Sequence, residues 1–140
     1  MLKKYLISKG FMLNKEQIKL ILDSASLDKD SFIIISGAAL VMYGIKEFTS
    51  DIDISVSKEY LDFLLNNYAW TIEKFDEKNN TYVYFIDDVI NFSTNYYDVD
   101  YNVINGFKIQ TVESILELKE SLNREKDKKD IVKIKRYLNN

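Results

Sequence analysis

The chain has 140 residues, with 19 Lys and Arg against 22 Asp and Glu, a net charge of −3, and neither cysteine nor histidine. Those two absences exclude disulfides, thiolate zinc sites, Ser-His-Asp and Cys-His catalysis and the usual zinc-hydrolase ligands, so any metal must sit on oxygen. No apolar run approaches the ~20 residues that span a bilayer, and the length suits one domain over residues 1–140 with a core large enough to fold unaided.

The N-terminus carries lysines but no apolar h-region or cleavage site of a signal peptide, so a cytoplasmic, membrane-free protein is expected. Charge is uneven. Residues 1–106 hold 10 basic and 16 acidic side chains, a balance of −6; residues 107–140 hold 9 and 6, a balance of +3. A mildly basic C-terminal helix pair could face an anionic substrate, and a solvated helix surface explains the same charge. No broad DNA-binding surface is expected.

A helical segment is predicted over 1–30, a core over 31–110 and a helix pair over 111–140. Residues 2–9 predict a short helix ending at Gly10. Asn14 is the N-cap of a helix from Lys15 to about Ser26. Its stripe of Ile18, Leu20, Ile21, Leu22 and Ala25 is expected to pack across the sheet. Phe32–Ile35 reads as a buried strand. Gly37 then turns the chain into a short helix, Ala38 to about Tyr43, closed by Gly44. The loop 45–50 leads to a strand over Asp51–Val56, and Ser57 caps a helix from Lys58 to about Asn66.

Strands at about Trp70–Phe75 and Thr81–Ile86 are expected to form a hairpin around 76–80. Asp87-Asp88 turns tightly into a strand over Val89–Thr94. Residues 95–101 read as irregular and Phe107–Gln110 as a short strand. Thr111 caps the first of the last helices, with Ser114 where a full capping box has Glu or Gln. The sum is an α+β fold whose mixed, mostly antiparallel sheet is flanked by helices.

Asp51 and Asp53 lie two apart on a strand and so share a face. Two acids that close repel unless a cation or proton joins them. A hard divalent cation such as magnesium fits, being an oxygen-seeking ion. The glycine turn at Ser36-Gly37-Ala38, opening a helix, offers backbone N–H groups suited to phosphate. Acids facing solvent on an edge strand, and an ordinary strand-to-helix turn, are the competing explanations. Lys119 shares a helical face with apolar Val112, Ile115, Leu116 and Leu122, so it snorkels, pairs with an acid or faces a site. Most of the tyrosines and phenylalanines near 82–101 are expected in strand packing.

The pattern Gly37-Ala38 followed by Thr49-Ser50-Asp51-Ile52-Asp53 resembles the nucleotidyltransferase fold of the DNA polymerase beta superfamily. It is most similar to small bacterial members: type IV toxin–antitoxin abortive-infection toxins, minimal nucleotidyltransferases, and aminoglycoside- and lincosamide-modifying enzymes. The C-terminal Lys119…Arg124-Glu125-Lys126-Asp127-Lys128-Lys129-Asp130 is similar to their Lys…Arg-x-Lys-Asp-x-x-Asp segment. The resemblance covers roughly Ser31 to Leu138. It implies transfer of a nucleoside monophosphate from a nucleoside triphosphate to an acceptor hydroxyl on a protein, an RNA end or a small molecule. Two magnesium ions would sit on Asp51 and Asp53, with Ser36, Gly37, Ala38, Lys119 and Arg124 holding phosphate. An antitoxin partner fits one branch of that family.

Two residues depart from the family's pattern. Ala38 stands where Gly or Ser is usual, so a hydroxyl is missing that Ser36 or Ser50 would have to replace. Asn91 takes the place expected of a third carboxylate. An amide oxygen can ligate a metal, but it cannot accept a proton at neutral pH. The alternative is therefore a degenerate domain that binds nucleotide or a partner without turnover. For Arg124, Lys126, Asp127 and Asp130 a structural ion-pair network competes with phosphate binding.

Overall fold

A computed structural model describes residues 12–140; the helix predicted over 2–9 lies outside those residues. Asn14 caps helix α1 (Lys15–Ser24) with a full capping box: its Oδ1 accepts from the Gln17 backbone N–H, and Gln17 Oε1 accepts from the Asn14 backbone N–H. Ile18, Ile21 and Leu22 are buried, whereas Leu20 is 47% exposed, so the inward stripe is narrower than predicted. Helix α1 contacts helix α2 (Ser36–Met42).

Among the described residues, seven strands form one sheet: β1 (Phe32–Ile34), β2 (Ile52–Val56), β3 (Thr71–Asp76), β4 (Thr81–Ile86), β5 (Ile90–Ser93), β6 (Tyr101–Ile104) and β7 (Phe107–Gln110). Their order is β3-β4-β5-β2-β1-β7-β6. The pairs β1–β2, β3–β4, β4–β5 and β6–β7 are antiparallel, and β1–β7 and β2–β5 are parallel. The expected mixed, mostly antiparallel sheet is thus observed. Strands β1 and β5 are buried along their whole length, as their apolar runs require.

The remaining helices are α3 (Lys58–Asn67), α4 (Val112–Leu122) and α5 (Lys128–Leu138). Ser57 Oγ accepts from the Tyr60 N–H and Thr111 Oγ1 from the Ser114 N–H, so both predicted caps form. Asp87 and Asp88 both adopt left-handed φ, of 55° and 60°, the geometry a tight hairpin turn demands. Ring contacts Phe75–Tyr82, Trp70–Tyr84 and Tyr84–Phe92 show strand packing as the use of many aromatics.

Strand β6 was not predicted, because its residues Tyr101 and Val103 are 44% and 65% exposed and carry no burial pattern. The signal that could have found it is Asn105-Gly106, with φ of 54° and 83°. An Asn-Gly pair between two short strand-like runs is a strong hairpin signature. The irregular stretch therefore ends at the start of β6.

Candidate functional site: an acid pair in a cleft of mixed charge

Strand β2 carries Asp53 inward, and the parallel β2–β5 pair sets Asn91 directly beside it. Asp51 precedes β2 by one residue, on the same side. Asn91 Nδ2 donates to Asp51 Oδ2 at 3.3 Å. These three side chains line a cleft of about 480 Å³. Ser36 and Gly37 line it as well, but Ala38 is 1% exposed and does not.

The turn before α2 is built differently from its sequence reading. The left-handed residue is Ser36, at φ 55°, not Gly37. The Ser36 N–H is already donated to Gln110 Oε1 at 3.1 Å. Gly37 is needed for close approach instead: a Cβ there would stand 3.2 Å from Thr49 Oγ1. Thr49 is itself pinned by two backbone hydrogen bonds with Leu13. The turn is tied to the Asp strand directly, where the Ile35 N–H donates to the Asp53 carbonyl at 3.0 Å.

Electrostatics separate the two acids. Burial raises the Asp51 pKa, against the Asn91 hydrogen bond and the charges of Lys74, Lys126 and Lys46. Burial, then the charges of Asp51 and Glu73, push Asp53 up to about 7, with Lys74 and Lys119 opposing. Such a site favours a bound cation. Asn91 Oδ1 is buried without a hydrogen-bond partner, so an oxygen already points to an unmet need. Two carboxylates and an amide oxygen, with no nitrogen or sulfur donor, match magnesium. Among the described residues no three acidic side chains are placed to hold one ion. A magnesium ion here would therefore rest on two acids and the Asn91 amide.

Helices α4 and α5 bring cations to the same cleft. Lys119 is 6% exposed and pairs with Asp127 Oδ1 at 3.0 Å and Asp130 Oδ2 at 3.4 Å. Arg124 Nε donates to Asp127 Oδ2 at 2.7 Å. Burial works against ionising Asp127, but the hydrogen bonds and charges of Arg124 and Lys119 outweigh it and hold its pKa below the usual range. The predicted ion-pair network is present with Lys119 in the place expected of Lys126, which makes no ion pair among the described residues; Lys119, Arg124 and Lys126 all line the cleft as well. Network and ligand contact are thus compatible roles.

Four charged lining residues escaped the sequence reading: Lys46, Glu73, Lys74 and Asp76. Lys46 sits in the loop before β2 and reaches Asp130 at 3.5 Å. Glu73, Lys74 and Asp76 come from β3. Nothing in local periodicity marks a loop lysine or a residue from the far edge of a sheet as part of a site.

No protein-family model matches the chain, and no curated protein matches it. Among solved structures it is similar to the Megavirus polyadenylate synthase, with a TM-score of 0.46 and 16% identity over 73% of this chain and 26% of that chain. That likeness is too slight to carry an argument. No helix among the described residues is long and apolar enough to cross a membrane.

Proposed function

We propose that the protein is a nucleotidyltransferase-like enzyme that moves a nucleoside monophosphate from a nucleoside triphosphate to an acceptor hydroxyl. One observation carries this reading: an acid pair, Asp51 and Asp53, shares a cleft with the cations Lys119, Arg124 and Lys126. Acids alone would suit a metal, and cations alone a phosphate. Both together suit a metal-bound polyphosphate.

Asp51, Asp53 and Asn91 Oδ1 would hold magnesium. Bound there, magnesium would neutralise triphosphate charge and polarise the phosphoryl group under attack. Lys119 and Arg124 orient the phosphate tail, their ammonium and guanidinium donors being already aimed by Asp127 and Asp130. Ser36 and Gly37 form the adjoining wall.

A second reading, nucleotide binding without turnover, is favoured by Asn91, which cannot take a proton. Calorimetry with each of the four nucleoside triphosphates and magnesium tests both. We expect binding by the wild type and at least a roughly ten-fold loss in Asp51→Asn and Asp53→Asn, since each removes a charged ligand. Unchanged binding in both variants would overturn the assignment. Pyrophosphate release then separates transfer from binding alone.

A further inference from the structure

Strand β3 forms an edge of the sheet, with β4 and β5 between it and β2. Its pairing with β4 slips: Ile72 faces Tyr84, but Lys74 faces Val83. Two steps along β3 match one along β4, so Glu73 is the extra residue of a β-bulge. Neighbours on a regular strand point to opposite faces. Here Glu73 and Lys74 both line the cleft.

Two acids stand on this wall, and they differ. Asp76 is fully engaged: its carboxylate accepts from the Lys78 and Asn79 N–H groups and from the side-chain amides of Asn79 and Asn95. Glu73 Oε2 is shielded from solvent and has no hydrogen-bond partner. A carboxylate oxygen in that condition is costly unless a ligand completes it. Asn91, 7% exposed, presents a second orphaned oxygen, Oδ1. The floor and the β3 wall of one cleft each hold an acceptor without a donor.

We propose that Glu73 receives the proton of the acceptor hydroxyl, and that the β3 wall is the acceptor side of the cleft. This rests on the nucleotidyl transfer proposed above. The acceptor oxygen bonds to the α-phosphorus, and the bond from that phosphorus to the bridging oxygen breaks. Pyrophosphate leaves with the electron pair, and the hydroxyl proton passes to the Glu73 carboxylate. The work that Asn91 cannot do is thus done from another strand.

The charges around Glu73 agree. Burial raises its pKa, Lys74 lowers it and Asp51 raises it again, with a net rise. The charge of Asp53 couples to Glu73, Asp76 lies on the same strand, and Lys46, Lys119, Arg124 and Lys126 line the rest of the cleft. A raised carboxylate is the better base near neutral pH. Strand β3 gives the cleft two acids and Lys74, whereas the C-terminal segment gives three cations and two acids, so phosphate is drawn to the latter and the β3 wall is left to the acceptor.

The test uses the full chain with magnesium and each of the four nucleoside triphosphates, with water and with concentrated glycerol as probe acceptors. Pyrophosphate release is followed against pH, and the nucleotide dissociation constant is measured separately. In Glu73→Gln, release falls by at least about a hundred-fold, any low-pH inflection that remains belongs to the metal-holding acids Asp51 and Asp53, and nucleotide affinity stays within about two-fold. Adding Asn91→Asp to Glu73→Gln restores part of the rate, which a merely structural role would not do. Retention of the wild-type rate in Glu73→Gln overturns the inference. A wild type that binds nucleotide but releases no pyrophosphate also overturns it and leaves the binding reading standing. A wild type that binds no nucleotide sinks the proposed function with it.

Discussion

Asp53 and Asn91 are register partners across the parallel β2–β5 pair, a carboxylate beside an amide at the floor of the cleft. A second carboxylate at Asn91 would add to the repulsion that Asp51 and Glu73 already exert on Asp53. The amide removes that charge, and its Nδ2 steadies Asp51 instead.

The raised pKa of Asp53 predicts how stability varies with pH. The folded protein keeps the Asp53 proton up to about pH 7, whereas the unfolded chain loses it near the ordinary carboxylate value of 3.8. Between those values the native state binds more protons, so stability falls as pH rises through that window. Asp53→Asn should be more stable than wild type at pH 8 by a few kcal/mol, because each tenfold difference in proton affinity is worth about 1.4 kcal/mol. Urea melts at pH 5 and pH 8, without divalent cations, check this; an equal gap at both pH values would refute it.

Gly37 predicts a coupled pair. Gly37→Ala pushes a methyl toward Thr49 Oγ1, 3.2 Å away. The backbone of Thr49 is held by Leu13 and its hydroxyl donates to the Asp51 carbonyl, so it gives way poorly. The substitution should cost about 1–2 kcal/mol. In a Thr49→Ala background the same change should cost little, and a double-mutant cycle in denaturant reads the difference.

Asp127 predicts an acid-sensitive network. Its folded pKa lies below the usual value, so its contribution is present above the unfolded pKa and fades as pH falls through the folded one. Asp127→Ala leaves Lys119 buried beside Asp130 alone. The cost at pH 7 should be about 3 kcal/mol, as for other broken buried pairs. Thermal melts at pH 7 and at pH 3 should show the gap narrowing in acid.

The turn at Asp88 predicts a gain. Its φ of 60° suits glycine better than an L side chain. Asp88→Gly should stabilise the protein by about 0.5–1 kcal/mol, because Asp-Gly is a preferred tight-turn pair. Equilibrium unfolding is the check, and no change or a loss would show that the Asp88 side chain has contacts worth more than the turn.

Local rules reached far into this chain. The caps at Asn14, Ser57 and Thr111 are each set by a side chain and an N–H three residues on, so spacing alone predicts them. Period-two alternation put Asp51 and Asp53 on one face, and helical periodicity turned Lys119 inward. The missing His and Cys fixed the chemistry to oxygen. Those facts belong to neighbours in the chain. The bulge that aims Glu73, the reach of Lys46 to Asp130, and Gln110 accepting the Ser36 N–H from 74 positions away depend on register and strand order. No pattern within one element encodes them, because a strand's partner is chosen by packing of the whole sheet.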